Sequence, residues 1–254
     1  MSKPYLVIIH GFLQRFHCFP EFIKDMEKNF NVLFIDLPGY GENYNLNIFC
    51  IDKYLDFIYK EITNYINLKK IDNINLLGWS LGGNISILLA KKYPNIFKKI
   101  ILLCSNPCFV KSNTNKYGMN KDDFLNFYHN IQTNPKKASE KFLILQFFGL
   151  DKNTLKKYYL ELKKLYECQK LPDIKTLIFN LSLLNQDIRP ILKNLDNEMI
   201  YILSEKDNLI PKDIAKYLTY IKKNKDQIYI MPNATHVPML TNKDMLQSLL
   251  FSLS

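Results

Sequence analysis

Arginine is almost missing from this chain. Of 34 basic residues only Arg15 and Arg189 are arginine, and the rest are lysine. Arginine is the side chain best suited to reading base edges, and no nucleic-acid-binding motif is present, so nucleic acid is not an expected partner. Long apolar runs are also lacking. No stretch approaches the roughly 18 residues that a membrane span needs, so no membrane association is expected. Met1-Ser2-Lys3-Pro4 runs directly into an apolar segment without a signal peptide's charged region and cleavage site. A cytoplasmic location is therefore expected. Paired cysteines are absent as well. Cys18, Cys50, Cys104, Cys108 and Cys168 form an odd set without a C-x-x-C pair. Cys104 and Cys108 could be half of a metal site, but no matching His or Cys pair follows, so free thiols in a reducing compartment are expected, with no metal and no cofactor.

Against these absences, 254 residues with 47% hydrophobic content suffice for a sizeable core. That length suits one α/β domain with an inserted cap. The apolar run Ile74-Asn75-Leu76-Leu77 leads into Gly78-Trp79-Ser80-Leu81-Gly82-Gly83. A strand entering G-x-S-x-G and then a helix forms a nucleophile elbow, which presents a serine Oγ on a tight turn. The next N–H points into the same space, so Ser80 is the expected nucleophile and Leu81 an expected oxyanion donor. The order Ser, acid, His is completed further on. Met199–Leu203 reads as a buried strand followed by Ser204-Glu205-Lys206-Asp207, and Gln227–Ile230 as a second strand followed by Pro232-Asn233-Ala234-Thr235-His236. Both polar residues then lie beyond strand C-termini, where open α/β sheets bind ligands. His236 is expected as the base and Asp207 as the acid that orients it, with Glu205 as the rival acid. Asp36 and Asp187 read as loop anchors. Tyr5–Ile9 reads as the first core strand, and His10-Gly11-Phe12 follows it. Gly11 lets the backbone turn so that the Phe12 N–H becomes the second oxyanion donor, with His10 as a structural residue beneath that loop.

Strands alternate with helices through the first hundred residues, with helices near Glu21–Lys28 and Asp52–Ile66 and further strands at Val32–Ile35 and Ile100–Leu103. This alternation implies a mostly parallel sheet flanked by helices. From Asn120 to about Asn185 the pattern is helical, broken at Pro135, Gly149 and Pro172. The expected organisation is an α/β-hydrolase core over 1–110 and 186–254, with a cap of three or four helices over 111–185. The alternation resumes at Met199 and ends in a helix near Lys243–Phe251. The formal net charge is +10. Lys111 to Lys175 holds 13 lysines against seven acidic residues, a net +6. A lysine-rich solvated surface accounts for most single lysines, but a concentrated basic face suggests an acidic partner. The cap's aromatic residues read mostly as core, with a minority lining an acyl pocket beside the elbow.

The chain resembles the pimeloyl-ACP methyl ester carboxylesterases of biotin synthesis over nearly its whole length. The resemblance is carried by His10-Gly11-Phe12, Asp36-Leu37-Pro38-Gly39-Tyr40-Gly41, the Gly78–Gly83 elbow, Ser105-Asn106-Pro107-Cys108-Phe109, Phe142-Leu143-Ile144-Leu145-Gln146, Asp187-Ile188-Arg189-Pro190 and Ala234-Thr235-His236-Val237-Pro238. It implies that Phe12, Leu81 and the segment Phe142, Leu143, Ile144, Leu145, Gln146 contact the acyl chain beside Ser80 and His236. It also implies a basic cap surface that meets an acidic acyl carrier protein. The family's cap arginines fall in register on Lys137, Lys141, Thr154 and Tyr158, with Lys156 and Lys157 close by the last two. Phe12 stands where the family usually has tryptophan, and the antiparallel edge strands common in the family are missing or short. A monomeric serine carboxylesterase that frees methanol from the carrier-bound methyl ester is thus expected. The alternatives are a broad-specificity short-chain carboxylesterase, a lyase or C–C-cleaving relative, and a non-catalytic ligand-binding module on the same fold.

Overall fold

The computed structural model describes residues 3–221, 223 and 225–253. Met1 and Ser2 of the expected leaderless start lie outside the described residues, as do Lys222, Asn224 and Ser254 of the expected core segment 186–254. Six strands form one sheet: β1 (Tyr5–Ile9), β2 (Asn31–Ile35), β3 (Ile74–Trp79), β4 (Phe97–Leu103), β5 (Glu198–Ser204) and β6 (Gln227–Met231). Their order is β2-β1-β3-β4-β5-β6, and every pair is parallel. Among the described residues the sheet has no antiparallel edge strand. The inner strands are apolar on both faces because helices cover both; Leu6–Ile9, Leu76, Leu77, Ile100 and Ile200–Leu203 are all buried.

The covering helices follow from spacing. Helix α1 (Pro20–Asn29) opens on a proline at its first position, whose missing N–H costs nothing there. Helix α2 (Ile51–Lys69) buries Tyr54, Leu55, Ile58, Ile62 and Ile66, one stripe at helical spacing. Helix α3 (Leu81–Lys92) starts directly after Ser80. Between β4 and β5 lie four longer helices: α4 (Lys121–Thr133), α5 (Pro135–Leu145), α6 (Lys152–Glu167) and α7 (Ile174–Leu184). The residues that interrupt the helical pattern mark their ends. Asn134 caps α5 by accepting from the Lys137 N–H, with Pro135 next to it, and Gly149 turns at φ 97° between α5 and α6. Asp173, just after Pro172, caps α7 by accepting from the Thr176 N–H at 2.8 Å. Both flanks of this helical segment are tied together. Arg189 pairs with Asp187 and donates to the Thr114 carbonyl at 2.7 Å and to its hydroxyl at 2.9 Å. The short α8 (Arg189–Leu192), α9 (Ile214–Ile221), the short α10 (Pro238–Thr241) and α11 (Lys243–Ser252) complete the chain. No helix among the described residues is long and apolar enough to cross a membrane.

Candidate active site

Parallel strands bring their C-terminal loops to one end of the sheet, and the polar residues singled out above meet there. Ser80 follows β3 with φ 53° and ψ −116°, a conformation that a side chain adopts only under strain of order 1–3 kcal/mol. Leu13, Cys104 and Asn233, each just beyond a strand at this same end, also have positive φ. The elbow needs glycine because strand and helix nearly touch. A Cβ on Gly82 would sit 2.7 Å from the His10 carbonyl oxygen, and one on Gly78 2.5 Å from the Gly83 Cα. Any side chain at either position would push Ser80 out of its turn.

His236 lies between Ser80 and Asp207. Its Nε2 is 3.0 Å from the Ser80 Oγ, and its Nδ1 is 2.7 Å from Asp207 Oδ2. An ionised carboxylate only accepts, so Nδ1 carries the proton and Nε2 is left to receive one from Ser80. Asp207 is itself fixed: Oδ1 accepts from the Leu209 and Ile210 N–H groups, both at 2.9 Å. Ser80, Asp207 and His236 are 7%, 5% and 1% exposed, so the chain of bonds is shielded from water. Glu205, the rival acid, points elsewhere. It pairs with Lys212 at 3.0 Å and accepts from the Asn233 N–H at 3.0 Å, which together hold its carboxyl below the usual range. Asp36 grips Arg15 through two guanidinium contacts and accepts from the Glu42 N–H, and Asp187 grips Arg189.

The loop after β1 faces the elbow. Among the described residues neither the Phe12 nor the Leu81 N–H has a protein acceptor. His10 holds the plane of the Gly11–Phe12 peptide. Its Nδ1 donates to the Gly11 carbonyl at 2.8 Å, while its Nε2 accepts from the Leu37 N–H at 3.1 Å. The contact at Nε2 requires a neutral ring, and burial lowers the pKa of His10 from 6.5 to about 4. The folded state therefore refuses a proton that the unfolded chain takes up below pH 6.5. The linked stability, about 3 kcal/mol at most, is whole above pH 6.5 and is lost as the pH falls towards 4. Urea midpoints should drop across that window. A His10→Gln variant should show a flatter profile, and an unchanged slope would remove His10 as the cause.

Sequence gave no reason to link Trp79 or Gln146 to His236. Trp79 Nε1 donates to the His236 carbonyl at 2.9 Å, and the His236 N–H donates to the Gln146 carbonyl at 3.3 Å. These two contacts bracket His236 from the elbow and from the end of α5. One group of possible metal ligands stands out among the described residues: Cys104, Asp207 and His236, with ligand atoms within 4.8 Å of one another. The Asp207 and His236 atoms are already bonded to each other, with Asp207 also held by backbone and His236 by Ser80, and burial raises the Cys104 thiol well above its ordinary pKa. Chelators are accordingly expected to leave hydrolysis of p-nitrophenyl butyrate unchanged; inhibition that added metal reverses would overturn this.

The sequence profile of the alpha/beta hydrolase fold family matches residues 4–243. The chain belongs to that family. Similar curated proteins place this hydrolase among the carboxylic ester hydrolases. It is 32% identical over 244 residues to a pimeloyl-[acyl-carrier protein] methyl ester esterase of Wigglesworthia glossinidia brevipalpis, covering 93% of this chain and 88% of that protein. It is 28% identical to the protein of the same name from Pseudoalteromonas atlantica, covering 96% and 91%. Among solved structures it resembles an esterase from Exiguobacterium antarcticum, with a TM-score of 0.79 at 17% identity, covering 99% of this chain and 92% of that one. It also resembles a bromoperoxidase from Bacillus anthracis, with a TM-score of 0.82 at 16% identity, covering 100% and 93%. At such identities these two speak for the fold alone.

A groove of about 570 Å³ lies between α4, α5 and the loop after Asp207. Phe142 and Leu145 line it, with Phe127 from α4 and Leu209 from the loop. Phe142 stacks on Phe127, and its ring centroid lies 5.5 Å from that of Phe12, edge to face. The aromatic trio thus links the groove's lining to the loop after β1. Leu143 is fully buried and Ile144 half-buried, neither of them lining the groove, and Gln146 approaches His236 through its backbone. Lys141 lines the groove, and a small hollow of about 190 Å³ extends it past Asn130 and Asn134 to Lys137. Lys156 and Lys157 are exposed on α6, with the Lys157 Nζ 5.6 Å from the Tyr158 ring centroid. A larger cleft, about 790 Å³, includes Phe97 and Glu198, the first residues of β4 and β5. It therefore opens at the opposite end of the sheet from Ser80.

Proposed function

We propose that this hydrolase cleaves the methyl ester of pimeloyl-acyl carrier protein, freeing the distal carboxylate and methanol for biotin synthesis. The observation that carries the reading is the bonded series Ser80–His236–Asp207, next to which the Asn208–Leu209 turn lines a groove that also holds Lys141. The names of the curated relatives support the substrate. Ser80 Oγ attacks the ester carbonyl as His236 Nε2 takes its proton. The oxyanion forms between the Phe12 and Leu81 N–H groups, neither of which has a protein acceptor among the described residues. The imidazolium, stabilised by Asp207, protonates departing methoxide, and methanol leaves an acyl-enzyme. His236 then deprotonates a water that attacks the acyl carbonyl, and Ser80 regains its proton. No step needs a metal or organic cofactor. We place the enzyme in the cytoplasm and take it to act as a monomer, with the helices within 111–185 as its cap.

The carrier contact is electrostatic in this reading. Lys137 and Lys141 are four residues apart on α5, hence on one face, and share the hollow beside the groove. Lys156 and Lys157 add charge from α6. The double variants Lys137→Glu/Lys141→Glu and Lys156→Glu/Lys157→Glu should lose kcat/KM on pimeloyl carrier-protein methyl ester, on the order of tenfold, and rising salt should weaken the wild type in the same way. A small neutral ester should be turned over almost as before. Equal losses on both substrates would indicate damage to the cap. No loss on the carrier substrate would favour the second reading, a broad short-chain carboxylesterase. That second reading draws on Thr154 and Tyr158, which are uncharged where the resembling family has arginine.

A further inference from the structure

Leu13 is an odd residue to find at its position. It is fully buried, it is not glycine, and its φ is 67°. Such a conformation persists only where its surroundings hold it. Both polar groups of Leu13 are held, and both by way of the helical segment between β4 and β5. Its N–H donates to the Tyr40 hydroxyl at 3.3 Å, and its carbonyl accepts from Gln169 Nε2 at 2.6 Å. Gln169 follows the end of α6. The Tyr40 oxygen also accepts from Asn180 Nδ2 of α7 at 3.0 Å, and Asn180 Oδ1 accepts from the Tyr54 hydroxyl of α2 at 3.4 Å. Tyr40, Asn180 and Tyr54 are all at most 1% exposed, so water cannot substitute for any of these partners.

The Tyr40 ring adds a second connection. It packs edge to face on His10, with centroids 4.6 Å apart. His10 fixes the Gly11–Phe12 peptide by donating to its carbonyl, and the N–H of that same peptide is the Phe12 N–H. Tyr40 therefore touches the supports of two successive peptides, one carrying the Phe12 N–H and one the Leu13 N–H. We infer that Tyr40, Asn180 and Gln169 are positioning residues for the oxyanion hole, through which the docking of α6 and α7 sets the direction of the Phe12 N–H. The inference rests on the reading of Ser80 as nucleophile and Phe12 as oxyanion donor. Its consequence is that α6 and α7, which do not line the groove, act on the chemical step through the loop after β1.

The variants are Tyr40→Phe, Asn180→Ala and Gln169→Met, assayed with p-nitrophenyl butyrate and with an alkyl trifluoromethyl ketone, which adds to a serine and places an oxyanion in the hole. Complete loss of one donor costs roughly 10²–10³ in kcat, so misaiming it should lower kcat by about 10- to 100-fold. KM should stay within about twofold, and ketone affinity should fall in parallel with kcat. A merely structural role would lower the melting temperature without this selective loss for the tetrahedral adduct. Gln169 is half-buried at the end of a helix, so its variant decides the matter where Tyr40→Phe fails to fold. Ser80→Ala is assayed alongside. If Ser80→Ala retains turnover, the underlying reading fails and this one with it. If Ser80→Ala is inactive while the three variants keep kcat and ketone affinity within twofold, the positioning role alone is overturned.

Discussion

Replacing Ser80 by Ala, or His236 by Ala, is expected to lower ester turnover by on the order of 10³-fold or more with no change in the circular dichroism spectrum. The size of the effect follows from the geometry. An alkoxide cannot form at neutral pH without a base within hydrogen-bond reach, and His236 Nε2 stands 3.0 Å from Ser80 Oγ. Removing either member leaves the other with no proton to give or take, so the two losses should be similar and the double variant scarcely worse. The fold should survive both changes. Ser80 occupies a strained turn whose shape is set by Gly78 and Gly82, and alanine relieves none of that packing. At the His236 position the main chain keeps its bonds to Trp79 and Gln146, because both are made by backbone atoms of residue 236. Labelling by a fluorophosphonate probe should vanish in Ser80→Ala. A variant that kept more than about a tenth of wild-type turnover would remove Ser80 from the nucleophile's role, since a missing nucleophile cannot be so nearly compensated.

The sheet was legible because buried parallel strands are apolar runs, and five such runs end near their expected limits. The exception is β4, which begins at Phe97 and not Ile100. Lys98 and Lys99 interrupt the apolar pattern there, at the end of the strand nearest solvent. The helices between β4 and β5, expected as three or four and observed as four, were legible through Pro135, Gly149 and Pro172, which act locally on the backbone. Short α8 and α10 offer too few residues for a periodicity to show. The site divides along the same line. Ser80, Asp207 and His236 each follow a strand, and chain order together with a parallel sheet brings such positions to one place. What holds them there is invisible in sequence. Trp79 reaches His236 across 157 positions, and Asn180 reaches Tyr40 across 140. No local pattern encodes such pairings; the first needs β3 and the loop after β6 brought to one end of the sheet, and the second needs α7 folded back over the loop after β2. The lysines show the same limit. Register matched Lys137 and Lys141 to the family's arginines and left Lys156 and Lys157 near two further positions, and of these four only Lys137 and Lys141 line the groove or the hollow beside it.

Asp207→Asn is expected to be nearly as damaging as loss of the base, with kcat falling by up to about 10⁴-fold while the fold and substrate affinity stay intact. The carboxylate has two jobs here, and asparagine can do only one. Oδ1 accepts from the Leu209 and Ile210 N–H groups, and the asparagine carbonyl oxygen can replace it there. That choice turns the amide NH₂ towards His236 Nδ1, 2.7 Å away in the native arrangement. A donor facing Nδ1 forces the ring proton onto Nε2, the atom that must receive the Ser80 proton, so the imidazole is held in the unproductive tautomer. The alternative flip restores the tautomer but points NH₂ at two backbone N–H groups in a buried pocket, leaving three donors without an acceptor. Asparagine thus cannot satisfy both ends at once. The imidazolium formed during acylation also loses its nearest negative charge in a site with little water to replace it. Glu205→Gln supplies the comparison. Glu205 is committed to Lys212 and the Asn233 backbone at the protein surface, so its neutral form should leave kcat within about twofold, the usual scale for a surface change away from the chemistry. The reverse pattern, with Asp207→Asn active and Glu205→Gln inactive, would assign the acid's role to Glu205 and would require the loop after β5 to rearrange when substrate binds.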